Sequence, residues 1–246
     1  MTGELTLEVL ERPATLAERG AQVLAAALRA GVEHRGHATL AVSGGSTPGA
    51  MLAALARHPM PWEQVHIVQV DERIAPDGHP DRNLALLHER FLAAVIGTAP
   101  TIHAMPVTTA DPDTAARRYA ALLVELAGDP PVLDVVQLGM GSDGHTASLV
   151  PDDPILDVGD RDVAVTGPYH DRRRLTCTFP LLSRARQRVW LISGAAKADA
   201  LARVLAGDRS LPAARVPRRA FRWLVDRAAA AEFDRADDPT LQEERP

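Results

Sequence analysis

The chain has a single cysteine, only 4% aromatic residues and no surplus of positive charge across its 246 residues. Each shortage narrows what it can be. A lone thiol, Cys177, makes no internal disulfide and cannot build a cysteine-based zinc site, so a cytoplasmic protein is expected. It stands in the run Leu175-Thr176-Cys177-Thr178-Phe179, whose alternation reads as a strand, and a packed thiol is expected there rather than a nucleophile. A net charge of -5 argues against a nucleic-acid partner, which needs cations to neutralise phosphates. No apolar run reaches the roughly 20 residues of a membrane helix, so no membrane partner is expected. Residues 1–20 are charged and lack an apolar core segment, which is unlike a secretory signal.

What is present is 46% apolar residues, enough for a sizeable core, with 17 glycines and 19 prolines placed between apolar runs as punctuation. One α/β domain is expected over residues 1–234, followed by a polar, acidic tail at 235–246, RADDPTLQEERP. Short apolar runs at 38–42, 65–70, 133–138, 163–165, 175–179, 188–192 and 221–225 read as strands. Several are apolar almost throughout, as strands covered on both faces are. Helical patterns at 14–30, 48–57, 83–95, 114–127 and 196–206 alternate with them, with Asp111 or Asp113 as a cap and Gly128 as a stop for the fourth. This alternation predicts a three-layer α/β sandwich with a mostly parallel central sheet.

Four stretches could carry chemistry. Ser43-Gly44-Gly45-Ser46-Thr47-Pro48 joins a strand to a helix. Its glycines let backbone N–H groups turn toward an anion, its hydroxyls add donors, and proline suits the first helical turn. The hexapeptide alone reads equally well as a capped turn that binds nothing. Asp71-Glu72-Arg73 ends an apolar strand in three charges, at the strand end where open α/β sheets bind ligands. By itself it is also an ordinary solvated ion pair. Residues 138–151, LGMGSDGHTASLVP, contain G-x-G-x-x-G after a strand, but Pro151 and Pro154 deny it the uninterrupted helix of a dinucleotide-binding turn. Asp143 at its mouth would also repel a pyrophosphate. Of the nine histidines, His145 is singled out by its company, because a neighbouring carboxylate can fix its tautomer. Lastly, Ser193-Gly194-Ala195-Ala196-Lys197 puts a lysine at a helix start, which a bound anion would explain; a lysine pointing into water is the plain alternative. One of Arg172, Arg173 and Arg174 could reach the same anion.

In this order the four motifs resemble those of the 6-phosphogluconolactonases: S-G-G-S-T-P, D-E-R, G-x-G-x-D-G-H-T-A-S-L-F-P and G-x-x-K. The likeness runs from about Ala38 to the W-x-V-D-x-A-A run at residues 223–229. Val150 stands in place of the usual phenylalanine, and Arg82 in place of a common serine, where it could alter the rim of the site. The resemblance implies the Rossmann-like fold of the sugar-phosphate isomerases and deaminases. It also implies a hydrolase that opens the lactone of 6-phosphogluconate in the oxidative pentose phosphate pathway, with no cofactor and no metal. Its partner would be the small-molecule lactone, and the chain a monomer or weak homo-oligomer. His145 is then expected to be the base that activates water, with Asp143 beside it. Arg73 and the backbone N–H groups at 141–144 are the expected oxyanion donors. Gly44, Gly45, Ser46, Thr47, Lys197 and Arg174 are expected to hold the phosphate, with Asp71 and Gly144 also against the substrate. Ser43, Ser46 and Ser148 are not expected to be nucleophiles, since none sits in G-x-S-x-G.

Two relatives on the same fold are less well matched. Glucosamine-6-phosphate deaminases carry a glutamate at the position of Val150 and a tyrosine at that of Arg73. A non-catalytic sugar-phosphate sensor would ordinarily carry a DNA-binding domain, for which the 37 residues before Ala38 are few.

Overall fold

The computed structural model describes residues 6–217 and 221–232; the tail expected at 235–246 lies outside them. Among the described residues, ten strands and seven α-helices follow one another. They are Thr6–Leu10 (β1), Pro13–Arg35 (α1), Ala38–Val42 (β2), Ser46–Leu55 (α2), Val65–Gln69 (β3), Asp71–Arg73 (β4), Asn83–Arg90 (α3), Thr101–His103 (β5) and Pro112–Ala127 (α4). Then follow Val135–Leu138 (β6), Val163–Val165 (β7), Arg174–Cys177 (β8), Phe179–Arg184 (α5), Gln187–Ile192 (β9), Ala198–Ala206 (α6), Pro212–Arg215 (α7) and Phe221–Asp226 (β10).

Seven strands form one sheet in the order β1-β10-β9-β6-β2-β3-β5, and every pairing in it is parallel. Alternate residues of its strands serve two different cores, which is why the runs read as continuously apolar. Leu40, Val135, Val189 and Leu191 face α1, α2 and α3; Ala41, Val136, Trp190 and Trp223 face α4 and α6. On the second face the Trp190 and Trp223 rings stack 4.5 Å apart. Among the described residues no helix is long and apolar enough to cross a membrane.

From β2 the chain runs outward through β3 to β5, then returns to β6 on the other side of β2 and proceeds outward again to β9 and β10. The strand order therefore reverses between β2 and β6. Crevices at such reversals, beyond the carboxyl ends of the strands, are where open α/β sheets hold ligands.

The strands β4, β8 and β7 form a separate antiparallel sheet, which the sequence pattern did not distinguish from the main one. It is tied to the main sheet through the Val70 backbone, whose N–H donates to Val42 O and whose carbonyl accepts from Cys177 N, both at 2.8 Å. Other departures are local. The strand expected to reach Phe179 stops at Cys177, because Pro180 lies in the first turn of α5. The α-helix expected to reach Val95 ends at Arg90 and passes through Phe91, whose buried ring lies edge-on to Trp62, into a 3-10 turn at Leu92–Ala94. Asp111 is the cap of α4, accepting from Asp113 N and Thr114 N, and Gly128 ends that helix.

Candidate active site

The turns after β2, β6 and β9, with β4 and β8 of the small sheet, enclose a cleft of about 260 Å³. The residues lining it include Gly44, Gly45, Ser46, Thr47, Asp71, Arg73, His145, Arg174 and Lys197. Nine of the eleven expected site residues are thus brought to one cavity; Asp143 and Gly144 stand behind its wall.

The glycines after β2 have a steric reason. A Cβ on Gly44 would fall 1.9 Å from Oδ1 of Asn83, so only glycine lets the turn lie against that amide. Asn83 Nδ2 in turn donates to the Asp71 carbonyl at 2.9 Å. Gly45 takes φ 110° at the N-terminus of α2, leaving the turn's amides beside the cleft. Ser43 also lines the cleft, but its polar groups are taken: its N–H donates to Gln137 Oε1 at 3.1 Å and its hydroxyl to Gln137 O at 3.0 Å.

His145 sits in a loop, not at a helix start; the next helical turn is the 3-10 segment Pro154–Asp157. Its Nδ1 lies 2.6 Å from Asp143 Oδ1, and its backbone N–H reaches the same oxygen at 3.2 Å. With Nδ1 so engaged, Nε2 is the ring nitrogen left to take a proton. Burial alone would raise the Asp143 carboxyl. The hydrogen bond and charge of His145, its backbone N–H and the Tyr169 hydroxyl outweigh burial and hold it well below the usual carboxylate range. Gly141 leaves room for this pair, since a Cβ there would fall 2.1 Å from Nδ1 and 2.3 Å from Asp143 Oδ1.

One expectation for this loop fails and a second is narrowed. Gly144 does not line the cleft: its φ is 77°, and a Cβ would meet Leu211 at 2.9 Å, so its glycine serves the turn and a close approach of α7's lead-in. The amides of Gly141 and Gly144 are also not free for an oxyanion. Gly141 N donates to His145 O at 2.9 Å and Gly144 N to Gly141 O at 3.1 Å.

The small sheet supplies the guanidiniums. Arg73 lines the cleft with its Nε buried and without a hydrogen-bond partner, while its NH1 donates to Asp81 O. Of the three consecutive arginines, only Arg174 lines the cleft. Arg172 pairs with Asp81 at 3.0 Å and Arg173 donates to Thr166 O at 3.3 Å. Arg174 is buried, which pulls its affinity for the proton down, with Asp71 opposing and Arg73 reinforcing the shift. Asp71 Oδ2 accepts from the Ser148 hydroxyl at 2.5 Å, and that hydroxyl accepts from Arg174 NH1 at 3.4 Å. Ser148 is thereby committed inside the wall.

Lys197 precedes α6 on a turn whose Gly194 takes φ 97°. Its ammonium has no hydrogen-bond or ion-pair partner among the described residues, so one cation of the cleft is uncommitted. The turn is pinned by Asp226, a residue the motif reading quoted without a task. This buried carboxylate at the end of β10 accepts from Ser193 Oγ at 2.5 Å and Gly194 N at 3.0 Å.

Arg82 does not line the cleft itself but the hollow beside it, which shares Gly45, Ser46, Arg73 and Asn83 with the cleft. It is buried, with Nε 3.2 Å from Glu72 Oε2 and NH1 2.9 Å from Asp77. Glu72, fully buried, also accepts from the N–H groups of Arg73, Asn83 and Leu84 and from Gln69 Nε2, at 2.8–2.9 Å. It caps α3 from a distance and so fixes Asn83. Tyr169 was also missed: its hydroxyl donates to Asp143 Oδ2 at 3.1 Å. Among the described residues no three His, Cys, Asp or Glu side chains converge as metal ligands do.

Residues 11–225 match the family described as "Glucosamine-6-phosphate isomerases/6-phosphogluconolactonase". A 6-phosphogluconolactonase of Synechocystis is 38% identical over 231 residues, which cover 91% of this chain and 96% of the relative. One of Nostoc is 36% identical over 236 residues, covering 93% and 98%. Among solved structures, a 6-phosphogluconolactonase of Thermotoga maritima superposes with a TM-score of 0.81 over 91% of this chain and 100% of the other. Its 24% identity makes it a likeness of fold.

Proposed function

From the premise that this chain belongs to the glucosamine-6-phosphate isomerase/6-phosphogluconolactonase family, we infer that it is a 6-phosphogluconolactonase. It hydrolyses 6-phospho-D-glucono-1,5-lactone to 6-phospho-D-gluconate, the second step of the oxidative pentose phosphate pathway. The observation that carries this reading is the company of His145. An imidazole whose Nδ1 is engaged by Asp143 shares one cleft with an uncommitted ammonium and a glycine-serine turn at a helix N-terminus.

The Gly44–Thr47 amides and hydroxyls, Lys197 and Arg174 hold the phosphate. This fixes the lactone ring with its carbonyl carbon near His145. Nε2 of His145 takes a proton from water as the oxygen attacks that carbon, and Asp143 stabilises the resulting imidazolium. With the loop amides of Gly141 and Gly144 committed, the developing oxyanion falls to the guanidinium of Arg73, which lines the cleft. The bond from the carbonyl carbon to the ring oxygen then breaks, and Nε2 returns its proton to that oxygen. The acid so formed loses its proton to solvent. A positioned base contributes about 10²–10⁴-fold and an oxyanion donor about 10²–10³-fold, which suffices for an ester that opens slowly in water on its own. The reaction takes place in the cytoplasm, a reading supported by the unpaired, buried thiol of Cys177.

The test is a pH-stat assay on freshly made phosphogluconolactone, corrected for spontaneous opening, with the unphosphorylated lactone alongside. Acceleration of the phosphorylated lactone is expected, lost by about 10²–10⁴-fold in kcat with little change in KM in His145→Ala. No rate above the spontaneous one would end this reading.

A further inference from the structure

We propose that Tyr169 is a positioning residue for the hydrolysis, a clamp that holds the Asp143–His145 pair and Arg174 in one arrangement; the inference rests on the lactonase reading. Tyr169 reaches the cleft by a route unlike that of the other site residues. It stands at the tip of the β7–β8 hairpin, where Tyr169 N donates to Arg172 O at 3.0 Å and Arg172 N to Tyr169 O at 3.3 Å. Between them His170 and Asp171 have φ 48° and 61°. Two successive left-handed residues make the tight two-residue turn that matches strand twist, and histidine and aspartate tolerate that backbone better than most. The turn therefore fixes where the ring points. It is braced from outside by Arg172, which pairs with Asp81 and contacts His79.

From this position one side chain makes three contacts with the site. The hydroxyl donates to Asp143 Oδ2 at 3.1 Å, while Oδ1 serves His145. The ring lies edge-on to the His145 imidazole, centroids 5.5 Å apart, and the Arg174 guanidinium carbon sits 5.0 Å from the ring centroid. The carboxylate of Asp143 is thus divided, one oxygen for the imidazole and one for the phenol. Burial, then the Asp143 charge, keep the phenol protonated and hence a donor.

Packing alone does not explain the hydroxyl, because Tyr169 is only half-buried and its ring contacts would be met by phenylalanine. What the hydroxyl adds is a restraint. Without it Asp143 Oδ2 has no partner among the described residues, the carboxylate can rotate, and Nε2 of His145 loses its fixed aim.

The experiment compares wild type, Tyr169→Phe and Tyr169→Leu for kcat, KM and the pH–rate profile, with thermal midpoints beside them. Loss of one hydrogen bond to a charged group predicts a kcat about tenfold lower in Tyr169→Phe, with KM within about twofold of wild type. The acid limb is expected to move to higher pH, since a carboxylate with one donor fewer stabilises the imidazolium more strongly. Tyr169→Leu also removes the ring beneath Arg174 and is expected to raise KM about tenfold as well. Wild-type kcat and an unmoved acid limb in Tyr169→Phe would overturn the proposal. So would kcat losses that merely track a falling thermal midpoint in both variants. A readout independent of turnover is exchange of the His145 Nδ1 proton, followed by NMR in the intact protein. It is expected to quicken in Tyr169→Phe, and identical exchange would remove the clamp even in an active enzyme. An inactive wild type with quickened exchange would instead remove the lactonase reading and leave the clamp.

Discussion

Replacing Gly141 with alanine adds one methyl group directly against the His145–Asp143 pair. Its Cβ would stand 2.1 Å from His145 Nδ1, 2.3 Å from Asp143 Oδ1 and 2.4 Å from His145 Cε1, where ordinary contact begins near 3.4 Å. The imidazole and its carboxylate must therefore retreat by more than an ångström. Gly141 is not among the residues with positive φ, so the alanine backbone itself is unstrained and the whole effect is steric. A misplacement of about 1 Å in a catalytic group costs about 10²-fold in rate. That corresponds to roughly 2.7 kcal/mol of transition-state stabilisation. The phosphate-holding turn and Lys197 lie on other strands and are untouched, so KM should stay within about threefold of wild type. Some overpacking strain, about 1–3 kcal/mol, will appear in urea unfolding. The assay is the pH-stat rate under saturating phosphogluconolactone. Gly159→Ala, with open space around its Cβ, is the matched control. A Gly141→Ala enzyme with wild-type kcat would refute the placement of the dyad as the chemical centre.

Lys197→Ala should raise KM by about 10–100-fold with kcat nearly kept, the loss expected for one charge-assisted bond to phosphate; an unchanged KM would take Lys197 out of phosphate binding. Glu72→Gln should destabilise the fold by about 3 kcal/mol in urea unfolding, because a neutral amide cannot accept from three backbone N–H groups and also answer the Arg82 charge. Equal stability would show that those donors find other acceptors. His66 Nδ1 and His103 Nε2 lie 3.0 Å apart, and burial, then a neighbouring imidazole (His37 for His66, His66 for His103), holds each ring below the ordinary 6.5. The unfolded chain takes up these protons first, so the pair's contribution is whole above about pH 6.5 and declines as pH falls from there toward the folded values. Urea midpoints should therefore drop between about pH 7.5 and pH 5.5 less steeply in His103→Gln than in wild type, and parallel slopes would sink the assignment.

The central strands were legible because both of their faces are buried, leaving β2, β9 and β10 apolar enough to be bounded within a residue. The elements that escaped lacked that signature. The strand β1 runs along the sheet edge with Leu7 and Val9 exposed, and β5 has only three residues. The site was legible as a set of turns at strand ends, because local rules govern turns: glycine where the backbone must bend, charges where an apolar run stops. Tasks set by distant partners were not. Tyr169 meets Asp143 from 26 residues away, Ser148 meets Asp71 from 77, and Ser193 meets Asp226 from 33. Gly144 was misread for the same reason: its neighbour is Leu211, which no motif could supply. The partner of Arg82 was likewise hidden: its guanidinium is drawn inward by Glu72, ten residues earlier in the chain. One signal was available and unused. Asp226 ends an apolar strand just as Asp71 does, and the rule applied to one applied to the other.

The turns that carry Lys197, His145 and Gly44–Thr47 leave three neighbouring strands, β9, β6 and β2. Adjacent strands stand about 4.8 Å apart, a pitch fixed by backbone ladders that no side-chain replacement alters. The reach from anchor to reacting atom is thus built in by strand order, while the identity of the groups at each tip is open to substitution. Evolution on such a frame can exchange one reaction for another at residue 145 and its neighbours, yet it can scarcely change the length of the molecule being gripped.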